Sequence, residues 1–391
     1  EASAALVPGF VNAHSHAFQR GLRGRGETFP AGSGDFWSWR EAMYELVESI
    51  DEAGMYERCR LAFEEMAAAG ITTVGEFHYL HHLPGGRGFE LDDAVLRAAA
   101  ATGIRLVLLY THYRTGGIDA PLSGGQAQFD TRSPDVFWAR VDTLRERMAS
   151  LQNQHLGVAA HSIRAVPLDE LQPLHAEAMR RGLPFHMHVE EQPREIKECR
   201  DRYDAGPLAL LNRTLSISRD TPTVAVHATH STPDQLVPFV DAGGQVCICP
   251  LTEANLADGL ADLPQLVAAH APVSLGTDSN ARISMLEEMR WLEYGQRLTL
   301  QRRGVIHDDD GRHAELLWEA GTVAGARALG LHAGTIAPGA HADLVLLDLK
   351  SPELARLDDD TRLAGLVLGG GNRCIIDVCV GGRWRRHPDP T

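Results

Sequence analysis

Short apolar segments alternate with longer amphipathic segments along most of the chain. Eight of the short segments are rich in β-branched, leucine and aromatic residues and have the length of buried strands. They are LVPGFVNAH (6–14), TTVGEFHY (72–79), RLVLLYTHY (105–113), LGVAAHSI (156–163), PFHMHVEE (184–191), TVAVHATH (223–230), GQVCICP (244–250) and PVSLGTDSN (272–280). Strands that are apolar on both faces are typical of parallel sheets covered by helices.

The amphipathic segments between these strands have the spacing of helices that bury one face. They include residues 39–69, 134–151, 168–181 and 233–242, and three of them end in AAG, RRG or DAGG. Glycine directly after the last periodic residue is the usual stop of a helix. Eight consecutive strand–helix units predict an α/β fold, a (β/α)8 TIM-type barrel.

After the eighth unit the pattern changes. Helices are predicted over 284–300 and 313–329, and they are followed by AGTIAPGAHADLVLLDL (333–349) and RCIIDVCVGGRW (373–384), which are strand-and-turn segments. We therefore expect a barrel over residues 6–333, with residues 1–5 and 334–391 forming the remnant of a small β-sandwich domain. Two glycine-rich loops, 21–34 and 115–132, are long enough to cover an active site.

Composition narrows the class of protein. The 391 residues are 44% hydrophobic and 23% charged, which is typical of a soluble globular protein. No apolar run reaches the roughly 18 residues of a membrane span, and EASAALVPGF lacks the features of a signal peptide. The net charge of −15 disfavours a nucleic-acid partner. Six cysteines are too few for a disulfide framework, so we expect a reduced, cytoplasmic protein without a membrane partner.

Ionisable side chains collect at the C-terminal ends of the predicted strands, where barrels of this type perform their chemistry. In chain order they are His14 and His16, Glu76 and His78, His112, His161, His188 and Glu191, His227 and His230, and Asp278. The seventh strand ends in CICP, with nothing ionisable. Histidines at the ends of six of the eight strands predict a metal site at this rim.

Strand geometry limits which side chains can bind one ion. His14 and His16 lie two residues apart and share a face of the first strand. A third imidazole from strand five, His186 or His188, and the carboxylate of Asp278 would leave a position open for water, as in catalytic zinc sites. Iron or nickel are alternatives to zinc. Cys247 and Cys249 also share a face, either as core packing or as ligands of a soft metal.

Several motifs resemble the amidohydrolase superfamily, namely PGFVNAHSHAF, HMHVEE, VHATH and LGTDSN, and GTIAPGAHADLVLLD resembles its C-terminal β-sandwich. HSHAFQR, FWSWREAMY, EFHYLHH, HSIRAVP and HVEEQ are more closely similar to the formimidoylglutamate deiminases within it. The resemblance implies the metal ligands His14, His16, His188 and Asp278, since its His-x-x-Glu spacing selects His188 together with Glu191. Strand four lacks a lysine that could bridge two ions, so one zinc ion per chain is expected.

The resemblance also implies a reaction, the hydrolysis of N-formimino-L-glutamate to N-formyl-L-glutamate and ammonia in histidine degradation. His227 and Asp278 would position the attacking water and accept its proton, and Glu191 would pass a proton to the departing nitrogen. The implied substrate-binding residues are Gln19, Arg40, Tyr79, His161 and Arg164. The planar fork of arginine matches the two carboxylates of such a substrate.

Two alternatives remain open at this point. A ring deaminase of the same superfamily, acting on guanine or cytosine, would share the metal ligands but line its pocket with aromatic and amide groups rather than two arginines. A non-catalytic barrel used for assembly would have lost metal ligands, and here all of them are present. Members of the family have further strands before the segment that matches LVPGF, so we expect only part of the sandwich. We further expect a homodimer that acts on a small dicarboxylate.

Overall fold

Two sheets organise the protein in the computed structural model, which describes residues 3–25, 27, 29, 32 and 34–385. The larger sheet has eight parallel strands paired in chain order. They are β2 (Phe10–Ser15), β3 (Ile71–His78), β4 (Arg105–His112), β5 (Gln154–Ser162), β6 (Phe185–Val189), β7 (Thr223–His227), β8 (Gln245–Ile248) and β9 (Val273–Leu275). The smaller sheet is antiparallel, in the order β1 (Ala4–Pro8), β10 (Leu344–Asp348), β11 (Ile375–Val380) and β12 (Arg383–Trp384).

Helices connect the strands and cover the larger sheet. Within the described residues the α-helices are α1 (Phe36–Glu48), α2 (Glu52–Ala68), α3 (Asp92–Thr102), α4 (Pro134–Met148), α5 (Leu168–Arg180), α6 (Pro193–Tyr203), α7 (Pro207–Thr214), α8 (Pro233–Asp241), α9 (Pro250–Leu256), α10 (Leu263–Ala268), α11 (Met285–Leu300), α12 (Ala314–Ala320), α13 (Val323–Ala328) and α14 (Arg362–Gly369). Short 3-10 helices span Ala17–Leu22, Gly124–Phe129 and Asn372–Cys374. No helix in the described part of the chain is both long and apolar enough to cross a membrane.

The larger sheet closes into a barrel between its first and last strands. Ser15 and Asp278 form a parallel bridge across this seam. The backbone N–H of His16 donates to the carbonyl oxygen of Asp278 at 2.8 Å, and the N–H of Asp278 donates to the carbonyl of His14 at 3.0 Å. The predicted TIM-type barrel is confirmed, and its closure brings three of the implied ligands together through backbone contacts.

The predicted first strand is in fact two strands. Residues Ala4–Pro8 pair with β10 in the small sheet, and the barrel strand begins only at Phe10. Gly9 separates them, and a Cβ atom there would overlap the side chain of Thr72. The small sheet therefore takes residues beyond the predicted boundary at residue 5. Residues 1–2 and 386–391 of that predicted domain lie outside the described residues.

A buried ion pair joins the small sheet to the barrel. Arg105, at the start of β4, donates from Nε and Nη2 to the two carboxylate oxygens of Asp343, at 2.6 and 3.0 Å. Asp343 also accepts from the backbone N–H of Gly381 at 2.8 Å. Both charged side chains are almost fully buried. Bidentate pairing of this kind fixes orientation as well as supplying attraction.

Two predicted helices are each interrupted. The stretch 39–69 forms α1 and α2, because the Asp51 side chain accepts a hydrogen bond from the N–H of Gly54 at 2.7 Å and starts a new helix. The stretch 313–329 likewise divides into α12 and α13. Ala328, at the end of α13, packs with Cys247, Cys249 and two valines of β7 inside the barrel. Both cysteines are buried and free, which agrees with the core-packing interpretation.

Candidate metal centre and active site

Four implied ligands meet at the C-terminal rim of the barrel, and we call His14, His16, His188 and Asp278 the rim cluster. His14 and His16 share a face of β2, and His188 lies near the end of β6. Asp278 follows β9 and is held at the barrel seam. All four side chains are buried. The Nε2 atom of His14 lies 3.2 Å from that of His16 and 3.1 Å from that of His188. Asp278 Oδ1 lies 3.3 Å from His16 Nε2 and 3.6 Å from His14 Nε2.

The other ring nitrogens show which way the lone pairs face. The Nδ1 atom of His16 lies 2.9 Å from the carbonyl oxygen of Phe77, and that of His188 lies 2.9 Å from the carbonyl of His161. A carbonyl can only accept, so each Nδ1 carries the proton and each Nε2 presents a lone pair to the cluster. Carbonyl acceptors behind ligand histidines are a usual feature of metal sites.

Burial keeps these rings neutral. It lowers the pKa of His14 to about 3 and lowers the pKa values of His16 and His188 as well. Burial alone would raise the pKa of Asp278, but the neighbouring imidazole rings, that of His14 first, lower it. Lone pairs about 3 Å apart repel each other unless a cation lies between them. Three neutral imidazoles and one carboxylate are a donor set that fits zinc.

His227, at the end of β7, lies beside the rim cluster with both nitrogens facing carboxylates. Its Nδ1 is 3.3 Å from Glu253 Oε1, and its Nε2 is 3.8 Å from Glu191 Oε1 and 3.9 Å from Asp278 Oδ2. Burial disfavours the charged ring, but Glu191 and the hydrogen bond with Glu253 raise the pKa of His227 to about 10. The ring is therefore placed to hold and exchange a proton.

The backbone is strained at three of these strand ends. Glu190, His227 and Asp278 have φ angles of 53°, 74° and 42°. Left-handed conformations are uncommon for residues other than glycine, and they concentrate at functional sites. Two of the three side chains, those of His227 and Asp278, line the cavity at this end of the barrel.

A cavity above the rim cluster brings all five implied substrate-binding residues together. Gln19, Arg40, Tyr79, His161 and Arg164 line it, with His16, His188, Glu191, His227 and Asp278 at its base. Gln19 Nε2 donates to the hydroxyl of Tyr79 at 2.7 Å. The Oε1 atom of Gln19 is buried and has no hydrogen-bond partner among the described residues. A buried amide oxygen of this kind is a vacant acceptor for a ligand N–H. Gly116 and Phe129, from the glycine-rich loop 115–132, also line the cavity.

The two arginines differ in their surroundings. The guanidinium of Arg40 stacks on Trp37, 4.5 Å from the ring centroid, and no carboxylate pairs with it among the described residues. Arg164 lies between two buried carboxylates, with Nη2 3.4 Å from Glu191 Oε2 and Nε 3.4 Å from Glu195 Oε1. Both guanidinium groups nevertheless open onto the same cavity.

Other histidines of the strand ends lie outside the rim cluster. The ring of His186 lies one step back on β6, and its Nε2 is 2.8 Å from the carbonyl oxygen of Ala328. His78 and His81 contact Asp92 instead. His112 contacts Glu170 and Thr131, and His82 contacts the carbonyl oxygen of Asp130. His230 donates its backbone N–H to the carbonyl oxygen of Glu190.

Glu76, at the end of β3, also lies outside the rim cluster. It accepts a hydrogen bond from the N–H of Ala17 at 2.7 Å, and burial raises its pKa to about 8.

Sequence reasoning missed Glu253 and Glu195. The predicted seventh strand, β8 in the structure, ends in CICP with nothing ionisable, whereas Glu253 lies one turn into α9 and accepts from the N–H of Cys249 at 3.0 Å. Glu195 lies in the first turn of α6. An acidic residue in the first turn of a helix that follows a barrel strand is a signal that could have found both. Glu190, which precedes Glu191 in the chain, has a structural role, because its carboxylate accepts hydrogen bonds from the N–H of Leu208 and the hydroxyl of Ser231.

Comparison with known proteins finds relatives along nearly the whole chain. The amidohydrolase family model matches residues 5–385. A formimidoylglutamate deiminase of Pseudomonas aeruginosa is 37% identical over 390 residues, covering 97% of this chain and 84% of that protein. A 5-methylthioadenosine/S-adenosylhomocysteine deaminase of Moorella thermoacetica is 26% identical, covering 96% of this chain and 80% of that protein.

Solved structures show the same fold. An amidohydrolase from Brucella melitensis superposes with a TM-score of 0.89 at 34% identity, covering 97% of this chain and 84% of that one. An adenosine deaminase from Xanthomonas campestris with bound zinc superposes with a TM-score of 0.81 at 26% identity, covering 98% of this chain and 80% of that one.

Proposed function

We propose, from the premise that this chain belongs to the amidohydrolase family, that it hydrolyses N-formimino-L-glutamate to N-formyl-L-glutamate and ammonia. The enzyme is a metal-dependent hydrolase that acts on C–N bonds. The observation that carries the choice of substrate is the cavity in which Arg40 and Arg164 face the rim cluster. N-formimino-L-glutamate suits that arrangement, because it carries one carboxylate beside its formimino group and a second at the end of its side chain.

We assign one zinc ion per chain to His14, His16, His188 and Asp278, since their facing lone pairs and carboxylate fit it. When bound, such an ion acidifies a water molecule and polarises the carbon that is attacked. The remaining chemistry falls to side chains around it. Asp278 takes the proton of the attacking water, and His227, whose raised pKa keeps its ring protonated, orients that water from 3.9 Å away and exchanges protons with the neighbouring carboxylates.

Glu191 delivers a proton to the departing nitrogen. Its Oε1 lies 3.8 Å from His227 Nε2, so the proton taken from water has a short route to it. Glu253 fixes the orientation of His227 from the opposite side at 3.3 Å. Burial raises the pKa of Glu191, which suits a carboxyl that must act as an acid near neutral pH.

The substrate is held by both charged and neutral groups. Arg164 and Arg40 pair with its carboxylates, while the vacant Oε1 of Gln19 accepts the N–H of the formimino group. Tyr79 positions Gln19. Burial keeps the pKa of His161 well below its usual value, so this ring acts as a neutral hydrogen-bonding partner.

A ring deaminase is the second candidate, and the aromatic lining of the cavity favours it. Phe36, Trp39, Tyr44, Tyr113 and Phe129 all contribute to the wall. Such rings would stack on a purine. Two guanidinium groups in the same cavity have no counterpart charge on a neutral base, so we retain the dicarboxylate as the substrate.

The test replaces each arginine by methionine. Losing a buried, charge-assisted pair costs about 2–5 kcal/mol, so kcat/KM for formiminoglutamate should fall at least about 30-fold. Slow hydrolysis of a simple formamidine without carboxylates should hardly change. Arg194→Met is the matched control, since Arg194 stacks 4.5 Å from the same Trp37 ring but does not line the cavity. Equal losses on both substrates, or release of ammonia from guanine instead, would contradict the proposal.

We also propose that the enzyme is a cytoplasmic homodimer that takes part in histidine degradation. Sedimentation of the purified protein and fractionation of cells are the corresponding measurements.

A further inference from the structure

Arg164 is not free to receive a carboxylate in the structure. Its side chain is about nine-tenths buried and lies 3.4 Å from both Glu191 and Glu195. Glu191 has a role in proton transfer under the proposed function. Glu195 touches no other part of that machinery, and its side chain is completely buried.

Glu195 lacks the partners that a buried carboxylate normally has. Neither Oε1 nor Oε2 has a hydrogen-bond partner among the described residues, and the Nε contact with Arg164 is a charge contact without hydrogen-bond geometry. An ionised carboxylate in such a place is costly, whereas a protonated one is not. Burial raises the pKa of Glu195 to about 7, against the opposing effect of Arg164.

Binding of substrate adds a further negative charge to the set of Arg164, Glu191 and Glu195. A carboxylate that pairs with Arg164 would share one guanidinium with Glu191 and Glu195, so three anions would surround one buried cation. Like charges brought together in a buried site favour protonation of one member. Glu195 is the member with the fewest other contacts.

We propose that Glu195 takes up one proton from solvent when a substrate carboxylate binds Arg164, and so releases the guanidinium to the substrate. The proton returns to solvent when the product leaves. Glu195 is thus a positioning residue that couples substrate affinity to pH. The inference rests on the proposed function, because it requires a carboxylate at Arg164.

The groups that face Glu195 come from several elements. Arg164 follows β5, Glu190 and Glu191 follow β6, and His227 ends β7; Cys199 lies one turn further along α6. Of these, only Arg164 and His227 oppose its protonation, and substrate engages Arg164. Binding therefore shifts the balance towards the protonated form.

The first measurement is KM for formiminoglutamate against pH. In the wild-type enzyme KM should rise by about fivefold between pH 7 and pH 8, as expected for one proton on a group with pKa about 7. Glu195→Gln, which mimics the protonated acid, should remove this rise and leave kcat close to that of the wild type. Glu198→Gln is the matched control, because Glu198 lies on the same helix, is partly exposed and pairs with Arg194, and it should keep the wild-type rise. A Glu195→Gln enzyme with an unchanged KM profile would overturn the inference.

The second measurement counts protons directly. Titration calorimetry of N-formyl-L-glutamate in two buffers of different ionisation enthalpy should show proton uptake by the zinc-loaded wild type at pH 7.5, and none by Glu195→Gln. Binding without proton uptake by the wild type, or equal uptake by the variant, contradicts the inference while leaving the proposed function intact. Failure of the proposed function appears differently, as neither turnover of formiminoglutamate nor binding of N-formyl-L-glutamate at any pH.

A spectroscopic measurement does not depend on the variant folding. The infrared difference spectrum of the wild-type enzyme, with minus without N-formyl-L-glutamate at pH 7.5, should gain the C=O band of a protonated carboxylic acid. Absence of this band would overturn the inference.

Discussion

Two buried groups of histidines lie near the same end of the barrel and differ in what they lack. The rim cluster brings three Nε2 atoms and a carboxylate together, and the Nε2 atoms of His16 and His188 present lone pairs to it. The second group, which we call the side cluster, consists of His78, His81, Asp92 and Arg140. Both sets of histidines lie close enough to an acid to hold a metal ion on spacing alone.

In the side cluster the contacts are already complementary. His78 Nε2 and His81 Nδ1 lie 2.9 and 3.0 Å from Asp92 Oδ1, and Arg140 Nε donates to Asp92 Oδ2 at 2.8 Å. Burial would raise the pKa of Asp92, but hydrogen bonds from His78 and His81 lower it. A cation there would displace existing donors, whereas a cation in the rim cluster would relieve repulsion. The accounting of hydrogen-bond partners, rather than the density of histidine, separates a ligand set from a structural network.

The largest expected effect is loss of the metal on breaking the rim cluster. We expect about one equivalent of zinc per chain, and His188→Ala should reduce it to near zero, with loss of turnover. His186→Ala and His81→Ala should retain the metal, because the ring of the first bonds Ala328 and that of the second bonds Asp92. Elemental analysis after dialysis is the measurement.

Two equivalents of zinc in the wild type, or zinc lost from His81→Ala, would show that the side cluster binds metal and would remove the contrast. Loss of zinc from His186→Ala but not from His188→Ala would reverse the ligand assignment.

Breaking the side cluster should affect stability instead of metal content. Asp92→Asn leaves Arg140 without its buried partner, and such a loss typically costs about 3–5 kcal/mol. Urea unfolding should show this decrease, while zinc content stays near that of the wild type. Asp201→Asn is the control, because Asp201 pairs with Lys197 at the surface and should cost less than about 1 kcal/mol. A stable Asp92→Asn protein that had lost zinc would contradict the comparison.

Much of the fold could be predicted because parallel barrel strands are apolar on both faces and helices end at glycine. The turn at Gly182, with a φ of 64°, is one such helix end. The separation of β1 from β2 at Gly9 could not be predicted, because it depends on the closeness of Thr72 in the folded protein. The residues before and after Gly9 are similarly apolar, so the sequence pattern does not mark the end of one strand and the start of the next.

The site was predictable only where chemistry and strand spacing coincide. His14 and His16 share a strand face by geometry alone, but the choice of His188 over His186 needed the family resemblance. The structure shows the physical reason, since the ring of His186 already has an acceptor in the carbonyl of Ala328. The contact of Glu253 with His227 could not be predicted from the strand ends, because Glu253 lies in a helix that follows the strand.

The smallest of these effects concerns His227. This residue lies beside the rim cluster, but its ring nitrogens already have carboxylate partners, as the histidines of the side cluster do. Both of its nitrogens face carboxylates, those of Glu253 and Glu191, so it has no lone pair directed at an ion in the way that the ligand histidines have. His227→Asn and Glu191→Gln should therefore each lower kcat by about 10²-fold, the scale of losing a general acid or base, which is about 2.7 kcal/mol. Zinc content should remain near one equivalent in both, because neither residue belongs to the rim cluster. Steady-state kinetics and metal analysis of the same preparations measure turnover and zinc content together.

Loss of zinc from His227→Asn would move this residue into the ligand set with Cys249 and Asp278, whose ligand atoms lie within 4.8 Å of its own. Near-normal turnover in both variants would instead mean that the proton passes by another route, and the assignment of His227 as a proton carrier would be wrong.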